Sequence, residues 1–228
     1  RKIVRLDVKN NYVVKGRKLE GYRKIGEVIP FSRKVCSMRV ELLYLDVVAS
    51  LFERNSVIKQ LPELLKDSFI PVTVGGGIDT SEKADECFRC GVDRIAVNSA
   101  SFKNPEVLSY ISSKYGSQAA ISHIEAKQID GKWCAMYETG REIGSFNLVK
   151  HLEFVQSLGV GEILLSSVEN DGMLNGFPES LLEVIKSTVT VPIIISGGQS
   201  NFELNDNLTK FPFVKGVCLS RAIIEHFE

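Results

Sequence analysis

The sequence has no apolar stretch close to the roughly 18 to 20 residues that a membrane span needs. No signal peptide with an apolar h-region opens it, so a cytosolic protein with no membrane partner is expected. It begins with Arg1 instead of Met, and its start is expected to be trimmed. There is no charge excess: 28 Lys and Arg balance 28 Asp and Glu, which leaves no overall positive field for nucleic acid or an anionic membrane. A local anion pocket remains allowed. Histidines are scarce, and His123, His151 and His226 show no HExxH or comparable ligand spacing, so they read as surface or satisfied core residues. The five cysteines, Cys36, Cys87, Cys90, Cys134 and Cys218, are scattered, which suits reduced thiols. Cys87 and Cys90 form a single CxxC inside a helical pattern, where ordinary packing is favoured over a metal or redox role. No cofactor or metal is implied.

What is present is a core. A chain of 228 residues, 44% hydrophobic and 25% charged, falls within the size range of one α/β barrel. The runs KIVRLDV, ELLYLDVVAS, IPVTVGG, DRIAVNS, QAAISHIEA, GEILLSSV, VPIIISGG and VKGVCLS are apolar on both faces, as strands buried in a parallel sheet are. Between them lie the helical stretches SVIKQLPELLKDS, TSEKADECFRCG, NPEVLSYISSKYG, NLVKHLEFVQSLG and PESLLEVIKS, several opening on Thr, Asn or Pro and closing on Gly. About eight such pairs predict a (β/α)8 barrel, with a doubly wound open sheet as runner-up. GEVIPFSRKVCSMR and QSNFELNDNLTKF make a weak first and a weak seventh helix.

The chain also resembles itself at an offset of about 120 residues: LDVK (6–9) falls on IEAK (124–127), and IPVTVGGG (70–77) falls near VPIIISGG (191–198). A single domain, 1–228, built from half-barrels of about 1–115 and 116–228, follows. Asp7 then ends strand one and Glu125 strand five, opposite each other at the C-terminal mouth where barrel enzymes place their chemistry. Two opposed carboxylates suit acid–base catalysis, one taking a proton while the other gives one. The structural alternative pairs each with its neighbouring Lys9 or Lys127, or uses it to cap a loop.

Glycines supply a second constellation. Gly75 to Gly77 follow strand three, and Gly197 and Gly198 follow strand seven. Backbone N–H groups without a Cβ in the way can close on phosphate there. Asn98 and Ser99 end the next strand in one half, and Ser220 with Arg221 ends it in the other. Two anion sites imply a substrate charged at both ends, or a diphosphate. At the opposite ends of the strands, Arg1, Glu41, Arg94 and Glu162 form an alternating-charge ring if they point to the axis. Otherwise they are solvated charges at strand starts.

LDVKNNYVVKG, LDVVAS, PVTVGGGI, VNSASFKNPE, YGSQAAIS, GEILLSSVENDG and PIIISGG, in this order, closely resemble the HisF family, the cyclase subunits of imidazole glycerol phosphate synthase. The resemblance implies a barrel that receives ammonia from a HisH-like glutaminase docked on its bottom face and uses it on a bis-phosphorylated substrate at the top. It implies acid–base roles for Asp7 and for Glu125, where the family has Asp. Gly77, Asn98 and Ser99 then hold one phosphate; Asp171, Gly172 and Gly198 hold the other; Lys15 lies on a mobile first loop. The charge ring becomes an ammonia gate, with Arg94 replacing Lys, and Asp93 touches the glutaminase.

Departures cluster on top: Glu125 and Glu169 for Asp, Met173 for Thr, and Arg221 where a small hydroxyl residue is expected. LDVVASLFERNS and SHIEA also look like the WbuZ-type paralogues of surface-polysaccharide clusters, which are thought to amidate a sugar. The expectation is therefore an ammonia-dependent synthase acting on a phosphorylated or nucleotide-linked sugar acceptor. The histidine-pathway cyclase is the alternative, and a non-catalytic barrel that activates a glutaminase is a second one.

Overall fold

The computed structural model describes residues 1–47, 56–66, 68–145 and 147–227. Eight parallel strands close into a barrel: β1 (Lys2–Lys9), β4 (Glu41–Asp46), β5 (Val72–Gly75), β6 (Arg94–Val97), β7 (Ala120–Ile129), β10 (Glu162–Ser167), β11 (Ile193–Ser196) and β12 (Val214–Leu219). They pair in that order, and β12 returns to β1. All eight apolar runs supply a barrel strand, and no open sheet remains. Residues 48–55, within the stretches LDVVAS and LDVVASLFERNS, lie outside the described residues.

Side chains alternate along each strand and so divide the core into two. On β1, Val4, Leu6 and Val8 join the outer core beneath the helices, whereas Ile3 joins an inner layer with Leu43, Ala96, Ile121, Leu164, Ile194 and Cys218. Cys87, on the helix Ser81–Arg89, is buried in the outer core.

The expected helices form at Ser56–Leu65, Ser81–Arg89, Glu106–Tyr115, Leu148–Ser157 and Glu179–Ile185. Among the described residues two have side-chain caps: Thr80 Oγ1 accepts from Lys83 N–H, and Asn147 Oδ1 from Lys150 N–H. The first helix is stronger than the sequence suggests, running from Val28 to Ser37. Pro30 sits in its first turn, where a missing N–H costs nothing, and Val28, Phe31, Ser32 and Val35 form the buried stripe. The seventh shrinks to one turn, Asp206–Thr209, with only Leu208 buried. Among the described residues no helix is long and apolar enough to cross a membrane.

Two hairpins rise from the mouth. β1 runs into β2 (Tyr12–Arg17) and β3 (Glu20–Glu27), and β7 runs into β8 (Lys132–Tyr137) and β9 (Glu142–Ser145), all antiparallel.

Candidate active site

Because Ile3 faces the axis, Arg5 and Asp7 do so as well, two and four residues further along β1. Both are completely buried. Arg5 Nε lies 2.8 Å from Asp7 Oδ1, and Arg5 Nη2 donates to Asp171 Oδ2 at 2.5 Å. Lys15 Nζ completes the group, 2.8 Å from Asp7 Oδ2 and 2.9 Å from Asp171 Oδ1. Two cations and two anions thus close a buried quartet. Burial alone would raise the Asp171 carboxyl, but Arg5 and Lys15 outweigh it and hold it well below the usual range. Lys15 does not stand on an open loop: it belongs to strand β2 and is 7% exposed, drawn inward by the two carboxylates. Asp7 therefore pairs with Arg5 and Lys15 and not with Lys9.

Glu125 occupies the inner face of β7, beside Ser166 of β10. It is 3% exposed, and Oε2 accepts the backbone N–H of Gly140 at 2.7 Å, from the turn of the second hairpin. Burial pushes its carboxyl up to about 7; the Gly140 N–H and Arg5 pull it down, while Asp171 and Asp7 push it further up. Among the described residues Lys127 makes no ion pair with it. His123, two residues earlier on the same face, places Nε2 2.9 Å from Ser166 Oγ. Burial, aided by the Arg5 charge, lowers its imidazole to about 3, so it is neutral at ordinary pH. His151 is a core histidine stacked on Phe102.

A cavity of about 340 Å³ opens above Glu125 and His123. It brings together the predicted Gly77, Asn98 and Ser99 with Glu125, and adds Lys103 and Thr139. Gly76 must be glycine: its φ is 95°, and a Cβ would meet the Asp46 carbonyl oxygen at 2.1 Å. The second predicted set, Asp171, Gly172, Gly198, Ser220 and Arg221, also converges, but around only about 10 Å³. Arg221 Nη1 donates to Gly172 O at 3.2 Å, Lys18 N–H to Asp171 O at 2.8 Å, and Gly176 N–H to Gly198 O at 2.8 Å. The matched pair of anion sites expected from the repeat is therefore one open cavity and one nearly closed.

At the bottom the charged collar forms. Arg1 pairs with Glu41 at 2.5 Å and with Glu162, and Arg94 Nη1 lies 2.9 Å from Glu41 Oε2. Burial would raise the Glu41 carboxyl, yet Arg1 and Arg94 bring it below its ordinary value. The inner apolar layer lies directly above this collar. Asp93, just before β6, accepts from Val72 N–H at 2.7 Å and lines a bottom-face cavity with Phe69, which is 98% exposed.

Sequence reasoning missed Arg5, Lys103 and Tyr22, whose buried hydroxyl has no partner among the described residues. Arg5 alone carried a usable signal, since residues 1, 3, 5 and 7 of one strand share a face.

The profile of the family described as "Histidine biosynthesis protein" matches residues 2–226. The imidazole glycerol phosphate synthase subunit HisF of Chlorobaculum tepidum is 39% identical over 199 residues, covering 87% of this chain and 79% of that protein. That of Legionella pneumophila is 38% identical over 205 residues, covering 89% and 97%. That of Chlorobium limicola is 37% identical over 225 residues, covering 98% and 88%. Carrying this barrel and these relatives, the chain belongs to the HisF family of histidine biosynthesis proteins.

Proposed function

We propose that this barrel is an ammonia-using synthase subunit that binds a phosphorylated acceptor in the mouth cavity and moves protons with Glu125. One observation carries the proposal: a buried carboxyl, raised to about 7 by burial, lines the open cavity. A group titrating there is half protonated near neutral pH and can serve as acid or base. Asp7, bound by Arg5 and Lys15, is assigned to fixing the charge around Glu125. Ammonia is supplied by a HisH-like glutaminase docked beside Asp93, entering through the collar of Arg1, Glu41, Arg94 and Glu162.

The relatives' names put the imidazole glycerol phosphate cyclase ahead of sugar amidation, reversing the order suggested by the top-face substitutions. Amidation of a sugar-linked acceptor stands as the second reading, favoured by Glu125 and by Arg221 filling the second anion site. Glu carries its carboxyl about an ångström further than Asp, a displacement that can cost on the order of 100-fold in rate.

The test is turnover of the bis-phosphorylated histidine-pathway intermediate with ammonium salt. Turnover lost in Glu125→Gln supports the cyclase. No turnover in the wild type, with gain in Glu125→Asp, supports an altered acceptor. Glutaminase stimulation as the sole activity, unaffected by Asp7→Asn and Glu125→Gln, would leave the barrel a scaffold and defeat the proposal.

A further inference from the structure

We infer that Thr139 contacts the acceptor: from the turn of the second hairpin its hydroxyl holds, beside Glu125, the nitrogen or oxygen whose proton Glu125 moves. This rests on the cyclase reading and adds a residue to its site.

The turn joins β8 to β9, and three successive residues in it are left-handed: Glu138 at a φ of 52°, Thr139 at 60° and Gly140 at 74°. Glycine takes that conformation freely, whereas a β-branched residue does so only where its surroundings impose it. The surroundings are specific. Arg141 N–H closes the turn on Tyr137 O at 3.2 Å, Glu138 N–H donates to Ser99 Oγ at 3.3 Å, and Gly140 N–H donates to Glu125 Oε2 at 2.7 Å. A Cβ on Gly140 would come 2.9 Å from Val168 Cγ1, so packing also fixes the turn. None of these contacts uses the threonine hydroxyl.

Thr139 Oγ1 is buried and has no hydrogen-bond partner among the described residues, yet Thr139 lines the same cavity as Glu125 and His123. An unpaired buried hydroxyl is a standing cost that a bound group removes. The residue that follows it, Gly140, grips Glu125 Oε2, so consecutive residues of one turn fix the hydroxyl and the carboxyl. Among the described residues Glu125 Oε1 accepts no hydrogen bond, which leaves one carboxyl oxygen anchored and the other able to exchange a proton.

Three carboxylates, Asp46, Asp79 and Glu125, line the cavity. Ionised carboxylates only accept hydrogen bonds, so the group beside them must carry hydrogen on nitrogen or oxygen: an amine, an amide or a hydroxyl. The threonine oxygen can accept one such hydrogen and so orient the group toward Glu125. When Glu125 takes the proton, the N–H or O–H bond of that group breaks and an O–H bond forms on the carboxylate. The electron pair stays on the acceptor's own nitrogen or oxygen.

Three variants of the full chain separate the hydroxyl from the turn. Thr139→Val removes the hydroxyl and keeps the shape, Thr139→Ser keeps the hydroxyl, and Thr139→Gly suits the left-handed backbone. The experiment measures their turnover of the bis-phosphorylated histidine-pathway intermediate with ammonium salt, and their urea midpoints. Thr139→Val and Thr139→Gly should lower kcat by about 10- to 100-fold with KM within about threefold, and Thr139→Ser should stay within about threefold of wild type. The urea midpoint should be unchanged in Thr139→Val and unchanged or higher in Thr139→Gly, because the hydroxyl is unpaired in the free protein. If turnover appears only in Glu125→Asp, the same three variants are made in that background. A wild-type kcat in Thr139→Val, a loss that Thr139→Ser shares, or a midpoint that falls together with kcat would overturn the inference and leave the cyclase reading standing. No turnover in either background overturns both.

Discussion

Replacing Glu125 with Gln perturbs one buried carboxyl and retains an oxygen able to accept the Gly140 N–H. The wild-type carboxyl titrates at about 7 in the fold against 4.5 when free, because burial disfavours its charge. A raised acid contributes stability that is present below 4.5 and is lost as the pH climbs through 7. Linkage puts the loss at about 1 kcal/mol at pH 5 and about 3 kcal/mol at pH 8. The Gln variant has no such dependence. Its stability relative to wild type should therefore improve by about 2 kcal/mol between these pH values, measured by urea denaturation of both proteins. Arg5, Asp7, Asp171 and Lys15 surround the position in both, so their own titrations largely cancel in the difference. A stability difference that does not change with pH would refute the reasoning.

Arg5→Met leaves Asp7 and Asp171 with Lys15 alone and should destabilise the fold by about 3 to 5 kcal/mol in the same assay. Gly198→Ala places a Cβ about 2.1 Å from the Gly176 carbonyl at a φ of 91°, and should lower stability by more than about 1 kcal/mol, read as a lower urea midpoint. His123 is held at about 3, below its free 6.5, so stability present above pH 6.5 drains away on acidification; His123→Gln should show a shallower acid slope in thermal melts.

The eight strands were legible because strands buried on both faces must be apolar throughout, and nothing else of that length in the chain is. The hairpins were not. YVVKGR and EGYRKIGE mix charge and glycine, and β3 is largely exposed, so its pairing with β2 leaves little apolar periodicity to read. Placing Asp7 and Glu125 on opposed strands needed only the internal repeat. That Asp7 lies sealed in an ionic quartet while Glu125 borders open space depended on Arg5 and Lys15; the strand period puts Arg5 on the face of Asp7, but nothing local in YVVKGR brings Lys15 inward to meet them. The unequal anion sites were also hidden: both carry the same glycine signature, and the difference arises from where Arg221 and the first hairpin pack.

The most direct measurement is a carbon-13 NMR titration of the Glu125 carboxyl, assigned by comparison with Glu125→Gln. A midpoint near 7 is predicted; one near 4.5 would mean that the residue lining the cavity is an ordinary surface-like acid and contradict the account.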